Sequence, residues 1–270
     1  MKRRAVFGLI LSLYLSVFSQ DKLTIKSIYY KNEVPTLIFK PNGYDAQQKY
    51  PLVYLLHGYS ADYTQWSMTI DCQSIANKYN MILVCPEGFT SYYIDSPYNT
   101  DLGYESFFFN DLVPKIHEQF NVDEKNVFIT GLSMGGYGAL RYFILHPQYF
   151  NTAGSTSGAI DIDYSLFKKV SLDFWNSTRM TDDLEKIIGN RTDWADYSII
   201  ALMEKYDFRK PFIFDCGTED ILYQSSAKLK DYIKKEDIPA TFISQPGNHN
   251  TDYWHSSIEY HFVYFQQHLK

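Results

Sequence analysis

A mostly parallel β-sheet with helices on both faces is the fold class this sequence predicts, and three observations carry it. Short runs rich in apolar and β-branched residues recur along the chain, each ending at glycine or polar residues: PLVYLLHG (51–58), MILVCPEG (81–88), NVFITGLS (126–133), TAGSTSG (152–158), PFIFDCG (211–217) and ATFISQPG (240–247). Between most of them lie segments with apolar residues at helical spacing, among them 104–120, 134–146 closed by Pro147, and 223–236. Strand, helix, strand repeated in this way gives a parallel sheet covered on both sides. The third observation is what is missing: no internal repeat, low-complexity tract or Pro/Gly/Ser-rich linker divides the 270 residues, of which 45% are hydrophobic. One domain with one substantial core is therefore expected over residues 20–270.

The elements follow in order. Lys2, Arg3 and Arg4 precede an apolar stretch from Ala5 to Phe18, followed by polar Ser19, Gln20, Asp21 and Lys22. The stretch is shorter than the roughly 20 apolar residues of a membrane-spanning helix, and its flanks are those of a secretory signal peptide. Val17 and Ser19 suit the −3 and −1 positions of a cut before Gln20, so residues 1–19 read as a leader. The mature chain is expected to be secreted or periplasmic, with no membrane attachment after cleavage. LTIKSIYY and TLIFKP on either side of KNEVP predict an antiparallel hairpin with Pro35 at the start of its second strand. The six runs above then form the parallel part of the sheet. Residues 159–210, which contain Trp175 and Trp194, are too long for a simple crossover. They read as helices plus an excursion that could partly cap a site at the sheet edge.

Composition excludes several functions. A net charge of −6 without a long basic run removes the electrostatic basis for nucleic-acid or anionic-membrane binding. Cys72, Cys85 and Cys216, an odd number without CxxC spacing, indicate neither a disulfide framework nor a thiolate zinc site. Cys85 and Cys216 fall in apolar runs and are expected to be buried thiols; a Cys72–Cys85 bridge stays open. Nothing calls for a cofactor or a metal, and the sequence is compatible with a homo-oligomer.

Ligand sites of open α/β sheets form beyond the carboxyl ends of the strands. Reading the polar residues there gives His57, Gly58 and Tyr59, then Ser133, then Asp220, then His249. A serine framed as GxSxG, followed in the chain by an acid and a histidine, is the α/β-hydrolase arrangement. The glycines of GLSMGGYGAL let the chain turn sharply from strand into helix, where side chains at 131 or 135 would collide with neighbouring elements. The turn leaves the Met134 N–H at a helix N-terminus, able to receive an oxyanion, and the loop after the first strand offers the Tyr59 N–H as a second donor. A serine hydroxyl is a poor nucleophile without a base oriented by an acid. His249 is the expected base and Asp220 the expected acid, with His255 as rival to the first and Glu219 and Asp215 as rivals to the second. His57 is expected to hold the oxyanion loop by hydrogen bonds.

At these residues the sequence resembles the esterase D family of α/β hydrolases, which includes tributyrin-type esterases, carbohydrate esterase family 1 feruloyl and acetylxylan esterases, and S-formylglutathione hydrolases. The resemblance rests on YPLVYLLHGYSADYTQW, YNTDLGYESFFFNDLVPKIHEQF, VFITGLSMGGYGALRYFILHPQYF, DCGTEDILY and PGNHNTDYW. It implies Ser133 as nucleophile, Asp220 and His249 as partners, and oxyanion donors at Tyr59 and Met134. The S-formylglutathione hydrolases typically read GHSMGGHGAL, so Leu132, Tyr137 and the leader point instead to the secreted tributyrin and feruloyl branch.

Aromatic residues make up 17% of the chain. Trp66, Tyr92, Tyr93, Tyr223 and Trp254, near the predicted strand ends, are candidates to contact a small-molecule or oligosaccharide ester. Feruloyl release from plant polysaccharide is the first expectation, and acetyl or other short-chain release the second. A binding protein that kept the fold without the activity is the alternative from a different class.

Overall fold

The computed structural model describes residues 20–189 and 191–270; the leader expected over 1–19 lies outside the described residues. Its strands are β1 (Gln20–Ile25), β2 (Val34–Phe39), β3 (Tyr50–Leu56), β4 (Ile82–Pro86), β5 (Val122–Gly131), β6 (Thr152–Thr156), β7 (Ile213–Gly217) and β8 (Thr241–Gln245). They form one sheet in the order β1-β2-β4-β3-β5-β6-β7-β8. β2 runs antiparallel to both β1 and β4, whereas the pairs from β4–β3 through to β7–β8 are parallel. The hairpin sits earlier than expected: β1 pairs Gln20 with Phe39 through Ile25 with Val34. The chain leaves the strand after Ile25 because Ser27 bonds Asp111 and the Tyr29 N–H, and Tyr30 packs on Phe89 and Tyr104.

The helices are α1 (Gln65–Thr69), α2 (Cys72–Tyr79), α3 (Tyr104–Phe107), α4 (Val113–Gln119), α5 (Met134–Leu145), α6 (Tyr164–Trp175), α7 (Arg179–Ile188), α8 (Ile199–Lys205), α9 (Tyr223–Lys235) and α10 (Thr251–Gln267). α3 and α4 are one continuous helix interrupted by a wide turn over Phe108–Leu112, in which the Val113 N–H reaches back to Phe108 O. Pro114, which has no N–H to offer a regular turn, follows at once.

Strand alternation divides the core. Leu52, Tyr54, Leu56, Val84 and Ile129 face the layer built from α3 to α9, and Val53, Leu55, Leu83, Cys85 and Phe128 face the layer holding α1, α2 and α10. Both faces are apolar, as a sheet covered on both sides requires. Cys72 and Cys85 are buried free thiols in the second layer, and Cys216 in β7 is a third buried free thiol. Among the described residues no helix is long and apolar enough to cross a membrane.

Candidate active site

Ser133 stands between β5 and α5 with φ 54° and ψ −117°, a backbone conformation an L-residue holds only at a cost of about 1–3 kcal/mol. Neighbours enforce it. The Ser133 N–H donates to Thr156 O at 3.0 Å, and Ser133 O accepts the N–H groups of Tyr137 at 3.1 Å and Ala159 at 3.0 Å. The surrounding glycines are steric necessities: a Cβ at 131 would lie 2.3 Å from the Gly135 carbonyl carbon, and one at 135 would lie 2.2 Å from Leu56 O.

The carboxyl ends of β7 and β8 bring the other two residues to this turn. The Ser133 hydroxyl lies 3.0 Å from His249 Nε2, and His249 Nδ1 lies 2.9 Å and 3.0 Å from the two Asp220 oxygens. An ionised carboxylate accepts only, so Nδ1 carries the proton and Nε2 is left to accept from the serine. Asp220 is fully enclosed at its side chain and also accepts the Leu222 N–H at 2.8 Å. His249 remains 11% exposed and Ser133 is half-buried, so a ligand can reach both. Asn250 caps α10 immediately afterwards by accepting the Tyr253 N–H, which fixes the exit of the histidine loop.

The rival residues have other work. Glu219 accepts the Gly247 N–H and the Thr218 hydroxyl on its carboxylate, while its own N–H donates to Gly247 O at 3.0 Å. It thus ties the acid loop to the histidine loop, and those donors, Gly247 first, hold its carboxyl below the usual range. Asp215 points to the opposite side of the sheet. It accepts from Thr156 Oγ1 at 2.7 Å and from His261 Nε2 at 2.6 Å, while Thr130 Oγ1 lies 2.7 Å from His261 Nδ1 and Ser257 Oγ 2.8 Å from Thr156 Oγ1. His255 bonds Thr69 O through Nδ1, away from Ser133. His57 is buried: Nδ1 donates to Gly58 O at 2.8 Å and Nε2 accepts the Gly88 N–H at 2.6 Å, which pins the loop carrying Tyr59.

Among the described residues neither the Tyr59 nor the Met134 N–H bonds a protein acceptor, and Gly58 is close enough to the serine that a Cβ there would lie 3.4 Å from Ser133 Cβ. The Tyr59 side chain is anchored in the segment 159–210. Its hydroxyl donates to Asp183 Oδ2 at 2.6 Å, and its ring meets Trp175 and Tyr92. Burial, and then the bond to Asp183, push its phenol well above the ordinary value.

Three of the five aromatic candidates are corrected. Trp66 is buried, with its indole N–H on Leu56 O at 2.9 Å. Tyr92 and Tyr93 are fully buried at left-handed φ values of 51° and 57°. Tyr92 packs between Tyr59 and Phe167, and Tyr93 donates to His57 O at 2.9 Å, so both brace the loop from behind. Trp254 is buried against the His249 ring, 5.1 Å away and edge-on. Tyr223 is half-buried, 3.4 Å from Ser244 Oγ. The residue that sequence reasoning missed is Phe174. At 47% exposed, its ring lies 5.7 Å from that of His249, and it lines a hollow of about 510 Å³ with Asp173, Glu219, Ile221, Asn248, His249 and Asn250. Its sequence signal was the Phe174–Trp175 pair inside an otherwise polar segment.

Within the 159–210 segment, α6 and α7 approach Tyr59 and His249, whereas α8 joins the body of the domain by packing on α5 and α9. The sheet, the strand-to-helix turn and the half-buried serine define an α/β hydrolase. More particularly, the chain belongs to the Esterase family, whose model, described as "Putative esterase", matches residues 27–264. An acetyl esterase of Caldicellulosiruptor saccharolyticus is 30% identical over 219 residues, covering 76% of this chain and 79% of that protein. Among solved structures, FphF, a fluorophosphonate-binding serine hydrolase of Staphylococcus aureus, is 22% identical with a TM-score of 0.78, covering 92% of this chain and 98% of its own. A ferulic acid esterase, also 22% identical, gives 0.76 and covers 94% of this chain and 100% of its own. The two structural likenesses bear on the fold.

Proposed function

We propose that this protein is an exported serine carboxylic-ester hydrolase that works through an acyl-enzyme, with Ser133, His249 and Asp220 as its triad. The observation that carries this reading is the unbroken hydrogen-bonded line from the strained serine through His249 to an enclosed carboxylate. Ser133 Oγ passes its proton to His249 Nε2 as it attacks the ester carbonyl, and Asp220 steadies the imidazolium. The carbonyl oxygen, now negative, is received by the Tyr59 and Met134 N–H groups, each such donor being worth about 2.7–4 kcal/mol of barrier. His249 returns the proton to the departing alcohol; water then repeats the sequence and frees the acid.

For the acyl group, short chains come first. Family membership with an acetyl esterase relative supports this, and so does the burial of Trp66, Tyr92 and Tyr93, which leaves the aromatic surface first expected of a feruloyl pocket largely inside the core. Feruloyl release is the second reading, favoured by the exposed Phe174 ring beside His249. Turnover of 4-nitrophenyl acetate by the wild type and by Ser133→Ala tests the nucleophile, and equal rates would remove it. Comparing kcat/KM for methyl ferulate, acetylated xylan and 4-nitrophenyl acetate separates the acyl readings. N-terminal sequencing of the exported protein, expected to begin at Gln20, tests the leader.

A further inference from the structure

A second cavity, of about 460 Å³, opens beside the Tyr59 loop and shares no lining residue with the hollow at His249. Its walls come from Tyr30 to Asn32, Ser60 and Ala61, Glu87, Phe89 to Ser91, and the face of α7 that carries Arg179, Asp183 and Lys186. That volume falls in the range of small-molecule sites. The cavity is preformed on one side by the Tyr30 and Phe89 rings, stacked 5.3 Å apart with planes 21° from parallel.

Its charges are unevenly satisfied. Asp183 is engaged by the Tyr59 hydroxyl at 2.6 Å and by Lys186 at 2.9 Å, and Glu87 accepts the N–H groups of Tyr63 at 3.1 Å and Phe89 at 2.7 Å. Both carboxylates are therefore occupied. Lys31 and Arg179, by contrast, form no ion pair among the described residues. Arg179 is nonetheless held in place, its guanidinium 5.4 Å from the Tyr59 ring centre and 5.5 Å from that of Trp175, with Nε donating to the Tyr59 hydroxyl at 3.4 Å. Among the described residues only Nε donates a hydrogen bond, which leaves the planar fork of terminal N–H groups, and that fork matches a carboxylate. Tyr30, whose phenol is pushed up to about 12 by burial and then by Glu87, stays protonated.

The cavity is within reach of the reacting centre. Gly58 abuts Ser133, and Ser60 and Ala61 lie two and three residues further on, a span of at most roughly 10 Å. We propose that this cavity is a subsite for a carboxylate carried by the ester substrate, held by Arg179 and Lys31 with the body of that group against the Tyr30–Phe89 pair. The proposal rests on ester hydrolysis at Ser133. A bound carboxylate would also lie on the cation that clamps Tyr59, the residue offering an oxyanion donor.

Matched substrate pairs test it and locate the acid. For the alcohol portion the pair is 3-acetoxybenzoate and 3-acetoxybenzamide; for the acyl portion it is 4-nitrophenyl hemiglutarate and 4-nitrophenyl valerate. The readout is the charged-to-neutral ratio of kcat/KM in the wild type, Lys31→Gln and Arg179→Gln, at low salt and in 0.5 M NaCl. In at least one pair each substitution is expected to lower the ratio about fivefold, and salt to lower it in the wild type. The responding pair shows which portion carries the acid. Because Arg179 packs on Tyr59, its loss also disturbs the loop; Lys31, exposed and bonded to neither Tyr59 nor the triad among the described residues, isolates the charge effect. A ratio unchanged by Lys31→Gln in both pairs would overturn the subsite. Turnover of the neutral esters and its loss in Ser133→Ala report separately on the hydrolase reading.

Discussion

Replacing Asp220 by asparagine exposes the logic of the site most directly. The side chain is fully enclosed and its two oxygens have fixed clients: Oδ1 accepts the Leu222 N–H at 2.8 Å, and His249 Nδ1 lies 2.9 Å from Oδ2. An asparagine must keep its oxygen toward Leu222, since an NH₂ there would meet another donor in a buried position. Its NH₂ then faces His249 Nδ1, which can only accept, and the imidazole proton moves to Nε2. In that tautomer Nε2 donates toward Ser133 and cannot take its proton. The expected loss is about 10³- to 10⁴-fold in kcat, equivalent to ~4–5.5 kcal/mol of barrier, by the effect known for the same exchange in other triads. The Leu222 bond survives and no volume changes, so the melting temperature should move by only a few degrees. The assay is the kcat for 4-nitrophenyl acetate alongside a thermal melt. A variant that folds and keeps more than a tenth of wild-type kcat would refute the argument from tautomers.

Further outcomes follow from contacts described above. Glu219→Ala removes the side-chain half of the clamp between Gly247 and the acid loop and should lower kcat roughly tenfold with little change in melting temperature, while Glu219→Gln, which keeps an acceptor, should recover most of the loss; steady-state kinetics decides. Phe174→Ala should raise KM for methyl ferulate several-fold and leave 4-nitrophenyl acetate within about twofold, and equal effects on both would detach Phe174 from the acyl group. Gly135→Ala would set a Cβ 2.2 Å from Leu56 O, and is expected to cost at least about 1–3 kcal/mol, seen as a lower melting temperature or insoluble protein. Burial pushes the Glu105 carboxyl up, but His146 and Arg141 overcome it and hold it below the usual range. A carboxyl depressed in the fold stabilises above its unfolded value of about 4.3 and ceases to do so as pH falls through its folded value. Glu105→Gln should therefore be about 2–4 kcal/mol less stable at pH 7 and lose less than the wild type between pH 5 and pH 3, read from denaturant melts.

Much of the candidate site was legible because order along the chain carries it. Strand ends mark the edge where a ligand binds, and Ser133, Asp220 and His249 each follow such an end. What was not legible depends on which way a loop turns. Tyr92 and Tyr93 lie where exposed aromatics were expected, yet consecutive left-handed backbone angles fold them inward, and no residue pattern announces that for two tyrosines. Trp66 was drawn inside by a carbonyl, Leu56 O, at the end of β3, a partner that a linear reading does not reveal. Phe174 was overlooked for the opposite reason, since one aromatic among the four of α6 reads as packing until the helix is seen beside His249. The early start of β1 and the clamp formed by Glu219 likewise depend on partners distant in sequence.

The buried cluster of Thr130, Thr156, Asp215, Ser257 and His261 joins β5, β6 and β7 to α10 on the face turned away from Ser133. Thr156 also supplies the carbonyl that receives the Ser133 N–H, and Asp215 the one that receives Ser157. The Ser133 backbone is thus tied to this cluster, while Asp173 and Phe174 of α6 wall the hollow beside His249 and Asp183 of α7 holds Tyr59. On the proposed esterase reading, the outward face of α6 beside His249 is therefore open to redesign, whereas the residues of α6 and α7 that hold Tyr59 are not.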